Sequence, residues 1–458
     1  MNQTASFAAA RIFTGAPQRF ASGEDSPVAY LERCIETIQA REPIVRAWVA
    51  TRFDGARRDA EASAERYRAG APLSAIDGMP IGVKDLISTR DLPTGLGIAG
   101  HSVMTGEDSA AIQALRAAGA VLLGKVTTTE LGGAVPSITT NPFDPKRTPG
   151  GSSSGSAAAV AAGMVPVALG TQVGGSILRP AGFCGNVAIK PTMGAIHRGE
   201  RLGLSHACTG VHANTLDDLW TALVEIASRS GGDPGYPGLY GALPPPPPAP
   251  LRRVAVMEGP GWAATEPEAQ AGFLGLLDRL DAAGVRIVRP GEDPRLDAFH
   301  DMLADAARLV ILFINWENRP VLANLMASIP EKLNPITVAA YEAGLKITLH
   351  DYRQALEARE QLRRRHAELR EVCDAVISLS TTGVAPLIDD PQRPPGQTPT
   401  GNAAYNIVPS LLGAPALSLP LLSLGGLPVG VQLVGQWHGD QALVAHGQWL
   451  LETFGPQA

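Results

Sequence analysis

An α/β fold is predicted for this 458-residue chain on three observations. From Ile76 onward, short apolar runs of strand length alternate with helical patterns. The same rhythm resumes after a Pro/Gly-rich interruption at 231–250 and continues to the C-terminus. Finally, 45% apolar and 18% charged residues give the composition of an ordinary globular chain with material for a large core.

The elements follow in order. Ser26-Pro27 opens the first helix, with serine at the cap and proline at the first helical position; Val28, Leu31, Ile35 and Ile38 then share one face to about Arg41. A short apolar stretch at Ala47–Val49 leads into a charged, Ala-rich helix from Asp54 to Ala69, stopped by Gly70. Residues 1–75 are therefore read as an N-terminal helical part. In a central part, 76–215, the runs Pro80–Ile87, Ala120–Leu123 and Val165–Leu169 read as strands, and Ser109–Ala118 as a helix closed by Gly119. At 231–250, a Gly-Gly-Asp-Pro-Gly run and the five prolines Pro244–Pro248 predict an extended surface connection. Across 251–380, Arg252–Met257 and Asp374–Ser380 read as strands, Glu268–Ala283 and Tyr352–Val372 as helices. In 381–458, Ala416–Leu422 and Gly430–Val434 read as paired strands and Leu443–Phe454 as a closing helix. No internal repeat is present, and one domain over 1–458 is expected.

Charge and cysteine usage narrow the function. A net charge of -6 provides no basic footprint for nucleic acid or an anionic membrane, so a small-molecule substrate is expected. Cys34, Cys184, Cys208 and Cys373 are widely spaced, which predicts reduced thiols and a cytoplasmic protein. Met1–Phe13 lacks the charged start and apolar core of a signal peptide. The longest nearly apolar run, Ala157–Leu169, is too short to span a bilayer. The nine histidines form no metal motif, so neither metal nor cofactor is expected.

Two glycine/serine segments stand out: Pro149–Ser156 and, bracketing an Ala-rich helix, Gly170–Ser176. Glycines allow positive φ and close approach, which a row of inward-pointing N–H donors requires. A third piece is Lys84, inside the apolar run Pro80–Ile87. As a snorkelling or Asp85-paired lysine it would be structural; buried with few counter-charges it would be neutral and usable as a base.

Three other motifs compete. Gly151–Gly155 matches the G-x-S-x-G elbow, which would make Ser153 a nucleophile served by His350 or His438, but prolines 142, 145 and 149 forbid the strand that an elbow needs. Gly119–Lys125 fits G-x-x-x-x-G-K, yet its interior is an apolar strand and Val126 follows the lysine. Gly95–Gly100 spells G-x-G-x-x-G without a preceding strand.

The set Gly82-Val83-Lys84-Asp85, Gly150-Gly151-Ser152-Ser153, Gly174-Gly175-Ser176 and Phe183-Cys184-Gly185 to Lys190-Pro191-Thr192, with Leu427–Val434 late in the chain, resembles the amidase signature family. The resemblance implies a single large mixed β-sheet of about ten or eleven strands covered by helices on both sides. It implies Lys84 as base, Ser152 as proton shuttle following a cis peptide bond, and Ser176 as the nucleophile that is acylated. The backbone N–H groups of Val173, Gly174, Gly175 and Ser176 would form the oxyanion hole. Ser153 either supports the relay or caps the helix beginning near Gly155.

Departures bear on the substrate. The family's usual Asp is Gln172 here, its usual Arg is Leu178, and Arg179 falls three residues after Ser176. Thr171-Gln172 with Arg179 resembles the malonamidase branch, which implies substrate-binding roles for these residues and an amidated carboxylic acid as substrate; Arg179 as a structural ion-pair residue is the competing reading. Thr127-Thr128-Thr129-Glu130 also departs from the family wording, at a pocket wall. The alternatives within the family are the A subunit of an aspartyl/glutamyl-tRNA amidotransferase and an aryl or alkyl amide hydrolase. Outside catalysis, the alternative is an inactive scaffold that keeps the fold. The N-terminal helices offer a homodimer contact.

Overall fold

The computed structural model describes residues 10–199, 204–391, 393 and 398–455; residues 1–9, the start of the segment read as lacking a leader, lie outside them. Eleven strands form one sheet: β1 (Trp48–Thr51), β2 (Pro80–Lys84), β3 (Val121–Val126), β4 (Val167–Gln172), β5 (Val187–Lys190), β6 (Cys208–Ala213), β7 (Arg253–Val256), β8 (Arg286–Val288), β9 (Ala375–Leu379), β10 (Ala416–Leu424) and β11 (Leu427–Val434). Their spatial order is β1-β3-β2-β4-β6-β5-β10-β11-β9-β7-β8. β2 runs parallel to both β3 and β4, and β7 parallel to β8 and β9, while the remaining pairs are antiparallel. The sheet is mixed, and helices surround it.

Because β2, β3, β4, β6 and β5 are buried along their whole lengths, they read as continuous apolar runs instead of alternating ones. Segment 231–250 contains no helix or strand, and the chain re-enters the same sheet at β7 immediately after it.

The first long helix, Pro27–Val45, is capped by the Ser26 side chain accepting from Ala29 N–H. It passes through Pro43 and extends four residues beyond the expected end at Arg41. The Glu42 carboxylate explains the extension: it accepts from the N–H groups of Ala47 and Trp48, fastening the helix end to β1. The four cysteines are free and buried. Among the described residues, no helix is long and apolar enough to cross a membrane.

Candidate active site

The site gathers at the C-terminal ends of β2 and β4, where parallel strands leave a crevice for chemistry. Lys84 is the last residue of β2 and is fully buried. Its Nζ lies 2.7 Å from Ser152 Oγ, 3.0 Å from Ser153 Oγ, 2.9 Å from Thr171 Oγ1 and 3.2 Å from the Thr171 carbonyl. No carboxylate is among these partners. Asp85, one residue on and facing away, instead contacts buried Lys125 and accepts from Gly95 N–H. The reading of Lys84 as the partner of Asp85 is thereby removed.

Desolvation without a compensating charge holds the Lys84 amine well below its ordinary pKa of 10.5. A neutral amine has one lone pair and two N–H groups. Directed at Ser152, the lone pair can take a proton; Ser153 and Thr171 then accept the two N–H groups.

Ser152 and Ser153 precede the helix Ser154–Ala161, and the Gly151–Ser152 peptide bond is cis. Ser153 occupies the cap position but makes no side-chain cap bond. Its hydroxyl is committed to Lys84 and Thr171, which favours contact with the lysine over capping as its role. No histidine is hydrogen-bonded to it among the described residues.

Ser176 is brought alongside by a backbone bond, Ser153 N–H to the Ser176 carbonyl at 3.1 Å. It is the most exposed of the three relay candidates at 8%, against 3% for Ser152 and 0% for Lys84. Its hydroxyl makes no hydrogen bond with a described residue; in catalytic serines this contact often tightens only when substrate is bound. The N–H groups of Val173, Gly174, Gly175 and Ser176 likewise meet no acceptor among the described residues, so they are free to receive an oxyanion.

Gln172 holds this loop. Its Oε1 accepts from Ile177 N–H at 2.8 Å and Leu178 N–H at 3.1 Å, while Nε2 donates to Ser410 Oγ and the Asn406 carbonyl. Ser410 Oγ also donates to the Gly174 carbonyl. With no exposed surface and every amide group engaged, Gln172 leaves nothing for substrate, which corrects the expectation that it binds one. Thr171 is likewise spent on Lys84.

Replacing Gln172 by alanine orphans two buried N–H donors, at about 1–3 kcal/mol each. We expect a lowered unfolding midpoint in denaturant and a kcat reduced on the order of tenfold through a loosened donor loop. Unchanged values for both would show that the loop holds itself.

Arg179 is 8% exposed and forms no ion pair among the described residues, against the structural ion-pair reading. Its guanidinium donates to the carbonyls of Gly401 and Gly151 and to Thr400 Oγ1, while Nε has no partner. Burial pushes its pKa down to about 10. Glu130, in the departing Thr-Thr-Thr-Glu run, accepts from Asn334 N–H and Thr337 Oγ1. It thus ties the turn beside Ser152 to the helix Pro335–Leu345; a Cβ at Gly132 in this turn would stand 3.4 Å from Ser152 Oγ.

Asn406, Ser410 and Thr400 are not legible as site residues in the sequence, because each acts through a contact more than 200 positions away. Among the described residues no cluster suited to a metal occurs.

An eleven-stranded mixed sheet carrying a desolvated lysine beneath glycine-bracketed serines is the architecture of an amide-cleaving hydrolase. The sequence matches the Amidase family over residues 29–444, and the chain belongs to that family. It is 31% identical to the A chain of the glutamyl-tRNA(Gln) amidotransferase of Chloroflexus aggregans, over 93% of each chain. A solved amidase superposes with a TM-score of 0.83 at 27% identity, covering 97% of this chain and 100% of that one. The 6-aminohexanoate cyclic dimer hydrolase complexed with substrate gives 0.82 at 25% identity, over 97% of both.

Proposed function

We propose that this amidase-family hydrolase cleaves the carboxamide bond of a small substrate through an acyl-enzyme on Ser176, and that the substrate is an amidated carboxylic acid. The observation that carries the reading is the 2.7 Å contact between Lys84 Nζ and Ser152 Oγ in a shell with no acid.

Neutral Lys84 accepts the Ser152 proton, Ser152 accepts that of Ser176, and Ser176 Oγ attacks the amide carbonyl. The tetrahedral oxyanion is received by the N–H groups of residues 173–176. The proton returns along the same path to the leaving nitrogen as the C–N bond breaks. Water then enters, is deprotonated by the relay, and releases the acid. Arg179, a buried cation with no acidic partner and a free Nε–H, supports the carboxylate part of the proposal.

Membership of a tRNA-dependent amidotransferase, suggested by the Chloroflexus relative, is the second reading. Gln172 and Leu178, at positions where the common family wording has Asp and Arg, weigh against it.

The test is a panel of malonamate, alkyl amides and aryl amides, assayed with the purified single chain without ATP or tRNA. Malonamate should be preferred, and Arg179→Ala should lower kcat/KM for malonamate by about 10²-fold more than for neutral amides. An equal loss on all amides would leave Arg179 as a clamp on Gly151 and Gly401 only. Activity appearing solely with ATP, tRNA and partner proteins would support the amidotransferase.

A further inference from the structure

His212 lies on β6, in register with Ala168 of β4 and Ala188 of β5, directly beneath the signature serines. It is fully buried, and neither ring nitrogen has a hydrogen-bond partner among the described residues. A buried polar ring without a partner calls for an explanation. Burial, with the nearby Lys84 adding to it, keeps the imidazole neutral by pushing its pKa down to about 3.

Gly170 indicates where this ring is aimed. A Cβ built on Gly170 would stand 2.9 Å from His212 Nε2 and 2.9 Å from Ser153 Oγ. The two atoms are therefore no more than twice that distance apart, a span that one water molecule closes. The absence of a side chain at residue 170 keeps the path between them open.

Hydrogen-bond polarity supplies the reason for a partner. Ser153 Oγ accepts from Lys84 Nζ at 3.0 Å and from Thr171 N–H at 3.3 Å, so its own hydrogen needs an acceptor. The Thr171 carbonyl is 3.3 Å away and also receives Lys84 Nζ at 3.2 Å, which makes it a poor and shared one.

We propose that His212, with its proton on Nδ1, is a positioning residue whose Nε2 accepts the Ser153 hydroxyl hydrogen through one water, keeping the Ser153 lone pairs turned toward Lys84. With one N–H of Lys84 held on Ser153, the amine lone pair stays aimed at Ser152. This inference rests on the Lys84–Ser152–Ser176 reading and adds a residue to it.

The experiment is a double-mutant cycle on amide hydrolysis. His212→Phe should lower kcat on the order of tenfold with KM changed less than about twofold, a size typical of coupled neighbours. His212→Gln, which keeps an acceptor oxygen, should recover most of the loss. In a Ser153→Ala background, His212→Phe should have no further effect. Equal losses in both backgrounds, a Gln variant as poor as Phe, or a Phe variant with wild-type kcat would each overturn the proposal.

Should His212→Phe fail to fold, Gly170→Ala, which places a methyl group in the path, must give the same kcat-only loss and the same non-additivity with Ser153→Ala. Lys84→Ala and Ser176→Ala run in parallel separate the two levels. If they abolish activity while the cycle is additive, only the role of His212 is lost; if they do not, the relay itself is wrong.

Discussion

Lys84→Ala is expected to lower kcat for amide hydrolysis by about 10⁴-fold or more, the scale seen when one member of a proton-relay unit is removed. The amine has four oxygen contacts within 3.2 Å and no acidic neighbour among them, so no other group is placed to take the Ser152 proton. The wild-type enzyme should gain activity with rising pH as Lys84 loses its proton. Stability provides an independent readout. Because the folded-state pKa lies below the unfolded value, the unfolded chain binds a proton that the folded chain does not throughout the window from the depressed pKa up to about 10.5. Unfolding free energy should therefore rise with pH across that window. In Lys84→Met, which fills the space without a titratable group, this contribution should vanish. Denaturant titrations at several pH values compare the two proteins, and a slope retained in the Met variant would place the titrating group elsewhere.

Ser176→Ala should be at least as damaging, with kcat lowered by about 10⁴–10⁶-fold and covalent labelling by a fluorophosphonate lost. Its effect on stability should be small, since the hydroxyl makes no hydrogen bond with a described residue. That combination, an intact unfolding midpoint with no labelling, separates a missing nucleophile from a damaged fold. The same probe settles the elbow alternative, in which Ser153→Ala would lose the label and Lys84→Ala would act mildly. Ser153 is fully buried behind the lysine, so the label should stay on Ser176 in Ser153→Ala, more slowly. Persistent labelling of Ser176→Ala would overturn the assignment.

The central strands and the serine loops are legible in the sequence because their chemistry is local. Pro80–Lys84 is apolar on both faces, and a lysine at its end is conspicuous. Glycines around Ser152 and Ser176 advertise close backbone approach. The helices Arg319–Ser328 and Pro335–Leu345 are not legible, for a physical reason: Leu322 is the single fully buried residue of the first and Gly344 of the second, so neither carries an apolar stripe. β6, Cys-Thr-Gly-Val-His-Ala, escapes a pattern reading because it is buried on both faces yet carries polar residues. Its histidine shows no motif in sequence and is distinguished only by what the sheet places above it. Gln172 stands out in the sequence but not for the contact it makes, since a side chain's partner 234 positions away leaves no local trace.

The tether from Gln172 and Gly174 to Asn406 and Ser410 also bears on the order of events during synthesis. Hydrolytic competence depends on a segment that leaves the ribosome late, after nine of the eleven strands have been made. A nascent or C-terminally clipped polypeptide ending before Asn406 would carry all three relay side chains but lack the anchors of the loop that receives the oxyanion. Such a product should be inert, so the chain comes with a built-in safeguard against premature or fragmentary hydrolysis.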